Sequence, residues 1–274
     1  MVARWGSRAD ASVRLCLSAC GLMLLGVATV RAETSADDDT CGNVATDIAT
    51  DRPDVTNSSQ VVPRASVQVE SGINWTDRQG VSVIDGSNTR VRFGIKQCTE
   101  VLFDLPDYSQ SLHGAASTGF SDFSPAIKRQ FAHLPGGIEL SATMGLQLPT
   151  GTARTAGAGY GGYIQLPWSK ELVEGWSLSG MFTAFLVPGE HASNRTLEPT
   201  FAVERQVGSR TDFFVEYVAD LPRRGTSSQT FDSGGAYRMT PTQQIDFRVG
   251  IGLNRAMPEH FFGVGYSFRL DNAI

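Results

Sequence analysis

Beyond Pro63 the chain repeats one pattern, a stretch of about ten residues in which apolar and polar side chains alternate. A period of two predicts strands with one apolar face. Val67, Val69, Ile73 and Trp75 interleave with Gln68, Glu70, Gly72 and Asn74, and Val91, Phe93 and Ile95 interleave with Arg90, Arg92 and Lys96. The cleanest run sets Ile138, Leu140, Ala142, Met144, Leu146 and Leu148 against Glu139, Ser141, Thr143, Gly145 and Gln147. Twelve such stretches are predicted, the last over Phe262 to Leu270. Links leaving odd-numbered stretches, such as Asp77–Ser87, Pro106–Gly119 and Pro149–Gly159, are mostly longer than those leaving even-numbered ones, such as Gln97–Thr99 and Gly208–Ser209. An even strand number with short turns at one end and longer loops at the other is the pattern of an outer-membrane barrel. The expectation is an all-β, transmembrane antiparallel β-barrel of about 12 strands over residues 64–274, with both termini periplasmic. Pro125 and Pro199 lack the N–H a closed barrel needs, so each is expected at a bulge or a strand start.

This topology sorts the side chains. Trp168 and Trp176 fall toward the periplasmic rim and Trp75 toward the outer rim, where aromatic girdles belong. Arg129 and Arg205, the charges on the apolar face, fall near the periplasmic ends. The other face would line the lumen, and its candidate lining residues are Glu70, Arg90, Arg92, Glu100, Asp104, Lys128, Glu139, Glu198, Glu204, Glu216, Arg238, Asp246 and Arg248. Asp232 and Arg269 share that face.

Composition supports a barrel and removes alternatives. The 274 residues are 41% hydrophobic and only 19% charged, with 29 Gly and a formal net charge of −5, which excludes a disordered chain and a nucleic-acid partner. One apolar stretch, Leu15 to Val30, approaches the length of a spanning helix, and it follows Arg4, Arg8 and Arg14 and precedes Val30-Arg31-Ala32. It reads as a secretory signal peptide over 1–32, cleaved after Ala32. Leu17-Ser18-Ala19-Cys20 as a lipobox is disfavoured, because the apolar run continues past Cys20. Residues 33–63 then form a short acidic periplasmic or plug segment, rich in Asp and too poor in large apolar residues to fold alone. Cys41 and Cys98 survive cleavage into an oxidising compartment. Cys98 lies in the predicted periplasmic turn after the second strand, so a Cys41–Cys98 disulfide could tether the segment, letting Asp51, Arg52 and Asp54 pair with lumen charges such as Arg92 or Glu100. Two unbonded cysteines with a mobile tail is the alternative.

Thr50-Asp51-Arg52-Pro53-Asp54-Val55-Thr56, followed by Val62-Pro63 and Gln68-Val69-Glu70-Ser71-Gly72, resembles the opening of outer-membrane barrels assigned to transport in the meta pathway of phenol degradation. Arg92-Phe93-Gly94, Thr99-Glu100-Val101, Leu148-Pro149-Thr150-Gly151 and Gly263-Val264-Gly265-Tyr266-Ser267-Phe268 extend the resemblance over nearly all of the mature chain. It implies a porin-like channel in the outer membrane of a Gram-negative bacterium, passing small apolar or aromatic solutes. Outer-membrane lipid, the barrel assembly machinery and the small-molecule solute would be the partners. The tail after Phe268 departs from the family habit of ending on the terminal aromatic.

The alternative is a structural or surface-interaction barrel with a blocked lumen. An enzyme is the remote reading: His191-Ala192-Ser193-Asn194 is similar to the His-x-Ser-Asn of outer-membrane lipid hydrolases, in which His activates Ser, but Arg205 stands where an orienting amide or acid is needed. No catalytic set is therefore predicted. No cofactor and no metal are expected either, since His113, His133 and His260 are dispersed and no CxxC pair occurs.

Overall fold

The computed structural model describes residue 41 and residues 46–114, 117–131, 134–152, 159–186, 196–256, 258 and 260–274. The expected signal peptide, His133, His191 and Ser193 lie outside the described residues.

Among the described residues the chain forms β1 (Val67–Arg78), β2 (Val81–Lys96), β3 (Thr99–Asp104), β4 (Tyr108–His113), β5 (Gly119–Phe120), β6 (Ser124–Gln130) and β7 (Ile138–Gln147). It continues as β8 (Gly161–Val173), β9 (Trp176–Leu186), β10 (Thr196–Val207), β11 (Thr211–Pro222), β12 (Ser228–Thr240), β13 (Gln243–Gly252) and β14 (His260–Leu270). Each strand pairs antiparallel with its neighbours, and β1 pairs with both β2 and β14, which closes the ring. Long β2 explains why fourteen segments make a twelve-strand barrel. Its Arg90–Lys96 half pairs with β3 and its Ser82–Gly86 half with β4, so β3 and β4 are one strand interrupted at Leu105-Pro106-Asp107. β5 and β6 form a second strand interrupted over residues 121–123.

Two local expectations change. The predicted Asp77–Ser87 loop shrinks to Gln79-Gly80, both at positive φ, between the paired residues Arg78 and Val81. Two residues with φ > 0 are what a tight hairpin turn requires, and the strand alternation simply continues through it. Pro199 neither begins β10 nor shifts its register: the β10–β11 ladder omits Glu198 and Pro199 and resumes in the same alignment. Pro125 does sit at the start of β6, beside the interrupted β5–β6 strand.

The faces are inverted relative to a water-soluble protein. Ile127, Met144, Ile164, Phe182, Phe201, Val215, Phe231, Phe247 and Val264 all point outward and are exposed, whereas Glu70, Arg92, Glu100, Lys128, Thr183, Thr200, Glu216 and Ser267 are buried within the ring. A continuous apolar belt of this kind is stable only against lipid. Arg205 stays on that belt by lying over Trp176, 5.1 Å from the ring centroid, and donating to the Glu174 carbonyl at the β8–β9 turn. No helix among the described residues is long and apolar enough to cross a membrane. The strands do the crossing.

Candidate functional site

Residues 46–63 do not pack outside the barrel. They enter its lumen at the end that carries the β2–β3 and β12–β13 turns, turn at Arg52-Pro53-Asp54 and return to the start of β1. Polar side chains of the wall dictate this path, because each backbone N–H taken from water into the lumen must find an acceptor. The rising limb begins where the Arg269 guanidinium donates to the Thr46 and Asp47 carbonyls and the Ile48 amide donates to the Pro241 carbonyl. Next, the Asp51 amide donates to Glu70 Oε2 at 2.8 Å. The tip crosses to the far wall, where the Val55 and Thr56 amides each donate 2.8 Å bonds to the Glu216 carboxylate. The returning limb donates from the Val61 amide to Gln130 Oε1 and from the Val62 amide to Glu100 Oε2.

Arg92 clamps the two limbs together. Its Nη1 donates to the Ala49 carbonyl on one limb and its Nη2 to the Gln60 carbonyl on the other, at 2.9 and 3.0 Å. The same guanidinium pairs with Glu70 and Glu100, both at 2.9 Å, and reaches Asp51 at 3.5 Å. Asp51 is also met by Arg90 at 3.0 Å and Lys128 at 3.3 Å. Three carboxylates, those of Asp51, Glu70 and Glu100, thus face the three cations Arg90, Arg92 and Lys128, and with the exception of Arg90 their side chains are almost wholly buried. Burial, the strongest single influence on Asp51, favours its neutral form, but Arg92, Lys128 and Arg90 together hold it well below the usual carboxylate range.

Arg52 crosses to Asp246 at 3.3 Å. Its guanidinium lies over Gly72 and Gly265, where any Cβ would overlap it or come too close. Gly94 plays the same part for the returning limb, since a Cβ there would overlap the Pro63 carbonyl. Asp54 has the opposite environment to Asp51. Burial first, then Glu216, Glu204 and Asp232, push its carboxyl well above the usual range.

The remaining lumen candidates distribute around this hairpin. Asp104 holds Arg90 at 2.6 Å, Glu139 accepts from Ser59 and Gln60, and Arg238 meets Asp47 and Asp212. Glu204 accepts from Ser179, while Glu198 and Arg248 sit above the tip. Cys41 and Cys98 are joined as a disulfide, with Cα atoms 5.5 Å apart, on the rising-limb side of the segment at the β2–β3 turn. Several contributors carried no charge signal. Gln68 holds the Ala49 carbonyl, Thr200 meets Thr56, Asn57 bridges Arg90 and Gln165, and Phe261 faces the lumen beside Arg248. Alternation alone could have assigned Phe261, which is out of phase with outward Phe262.

The hairpin divides the lumen. Below it lies a cavity of about 240 Å³ bordered by Pro53, Ser59, Glu139, Glu204 and Phe214. Above it lie one of about 300 Å³ beside the interrupted strands, with Arg90, Asp104, Asp107 and Asp122, and one of about 230 Å³ with Val55, Asp232 and Phe261. Among the described residues no group of His, Cys, Asp and Glu is arranged to hold a metal ion.

A family described as "Putative MetA-pathway of phenol degradation" matches residues 50–270. No curated protein matches the chain. Among solved structures, an outer membrane channel from Pseudomonas putida F1 is similar with a TM-score of 0.62 at 12% identity, covering 77% of this chain and 97% of that one. The NanC porin is similar at 0.55 and 9% identity, covering 74% and 100%, and the KdgM porin at 0.50 and 9% identity, covering 74% and 98%. These likenesses establish the barrel fold.

Proposed function

The chain belongs to the family of the MetA pathway of phenol degradation, and from that premise we propose that it is an outer-membrane channel for small apolar or aromatic solutes, with residues 46–63 as its internal gate. The observation that carries this reading is the set of lumen cavities, one below and two above a hairpin that is held by side-chain hydrogen bonds and ion pairs along its whole course. A wall built only to be closed would need no cavity on either side. Passage requires the tip at Arg52–Thr56 to leave Glu216 and Asp246 while the clamp at Arg92 and the disulfide keep the base in place. The solute crosses unchanged. Localisation follows from the apolar belt: after removal of residues 1–32, the assembly machinery would insert the barrel into the lipid of the bacterial outer membrane.

The test is uptake by intact cells. Cells lacking the gene should take up labelled phenol or toluene more slowly than complemented cells. Equal uptake, together with an absence of ion conductance by the purified barrel, would replace the channel with a structural barrel of blocked lumen. Phospholipid hydrolysis by the purified protein, abolished by His191→Ala, would replace it with an enzyme.

A further inference from the structure

The cavity above the hairpin tip has a chemistry that gating does not require. It lies between Val55 and the outer mouth, and Glu198, Asp220, Asp232, Arg248 and Phe261 are among its lining residues. We propose that this cavity is a binding site for a small organic cation, an ammonium group carried on an aromatic body.

Charge is the first reason. Four carboxylates, those of Asp85, Glu198, Asp220 and Asp232, border the cavity against one cation, Arg248. An acidic lining alone would mean little in a hydrated lumen. Asp232 is what makes it a site. The residue is 1% exposed, neither of its carboxylate oxygens has a hydrogen-bond partner, and the Arg248 guanidinium stands 3.9 Å away. Thr230, two residues along the same face, likewise has a buried hydroxyl without a partner. Buried acceptors are ordinarily satisfied, and on this cavity wall Asp232 and Thr230 are groups that no protein donor serves, so they are open to a donor from the lumen, a role that water or a bound ammonium can fill. Glu216 is the cross-strand neighbour of Asp232. A proton shared between those two carboxyls would serve one Asp232 oxygen and leave the other.

The apolar half of the ligand is argued from Phe261. Its ring lies against Gly250, where any Cβ would overlap the ring and come within 2.6 Å of the Asp232 Cβ. Glycine at 250 therefore lets an aromatic face and a carboxylate stand side by side. Arg248 lies 5.2 Å from the Phe261 ring centroid, a distance at which a cation is attracted to the ring face. Val55, Val218 and Pro258 complete an apolar side. An ammonium donating to Asp232, with its aromatic body against Phe261 and these residues, uses both halves of the lining. An anion would face four carboxylates, and a neutral phenol would supply a single donor without charge.

Calorimetric titration of the purified full-length barrel in detergent tests this with phenethylamine hydrochloride, phenol and sodium benzoate as probes, a readout separate from solute passage. Phenethylamine should bind saturably, phenol at least roughly tenfold more weakly, and benzoate not at all, the tenfold step corresponding to about 1.4 kcal/mol of one charge-assisted contact. Asp232→Asn and Glu198→Gln should each weaken phenethylamine binding, the former by about tenfold or more. Folding of both variants is checked by heat-modifiable migration, and if Asp232→Asn does not fold, Glu198→Gln decides. Phenol or benzoate binding as tightly as phenethylamine, no saturable binding of phenethylamine, or undiminished affinity in the folded variants would overturn the proposal.

Discussion

The Thr56 hydroxyl donates to Glu216 Oε1 at 2.6 Å, so the tip of the N-terminal hairpin is fastened to the wall opposite the one that holds its base. Base and tip are held by different means. At the base, Arg92 and the Asp51 cluster satisfy one another's charges, whereas at the tip Glu216 accepts three hydrogen bonds from Val55 and Thr56 with Asp54 crowded beside it. The channel reading assigns release to the tip.

Asp51→Asn should unseat the base. Breaking one partner out of a buried ionic cluster costs about 3–5 kcal/mol, because Arg92 and Lys128 remain buried without it. Limited proteolysis of the folded barrel checks this: cleavage within residues 46–63, slow in the parent protein, should rise by orders of magnitude while the barrel remains resistant. Unchanged protection would show that Asp51 does not hold the segment.

Much of this architecture was legible in the alternating residues, and the reasons differ by region. Strands such as β7 and β13 present one unbroken face to lipid, so period two survives intact in their sequences. The alternation marks only half of β2 because a register shift against β1 between Glu70 and Gly72 breaks its period, so that Ile84 lies opposite Trp75 while Asp85, opposite Asn74, borders the lumen, and β4 and β5 are short pieces beyond a proline break. The charged partners Arg92, Glu100 and Asp51 announce themselves as charges in an otherwise apolar context. Gln68, Thr200 and Gly94 do not, since their roles arise only from where residues 46–63 happen to pass.

Asp54 makes seating pH-dependent. Its carboxyl titrates above its value in an extended chain, so the seated state binds the extra proton; that contribution is fully present below the ordinary carboxylate range and is lost as pH rises through the raised value. Asp51 is shifted downward, so its stabilisation is present above the ordinary range and is lost only as pH falls below it. Above the ordinary carboxylate range, Asp54 therefore governs, facing Glu216, Glu204 and Asp232. Single-channel open probability should rise with pH over this window, and Asp54→Asn should flatten the profile. A rise that persists in Asp54→Asn would assign the effect elsewhere.

Gly94→Ala should displace the returning limb, because the new Cβ meets the backbone carbonyls of Pro63 and Val62 rather than a flexible side chain. Overpacking of this kind costs about 1–3 kcal/mol. Amide exchange at Val61 and Val62 should accelerate by roughly 5- to 150-fold, while exchange in β11 and β12 stays as it was.

The lipid-facing belt makes its own prediction. Val215→Arg, in the middle of β11 and exposed on the outer face, should lower the unfolding free energy of the barrel in bilayers by about 2–4 kcal/mol. Glu216→Gln, one residue along and facing inward, should leave more of that stability and affect the hairpin instead. Equal losses from both would contradict the assignment of faces.

The most direct measurement of the gate is single-channel conductance of a barrel in which Thr56→Cys and Thr200→Cys can be joined. These two side chains touch across the lumen, and Cys41→Ser with Cys98→Ser removes the native thiols. Oxidised, the locked hairpin should hold the channel in its lowest conductance; reduced, the same molecules should show openings. Identical conductance in the locked and released states would contradict the claim that residues 46–63 govern passage.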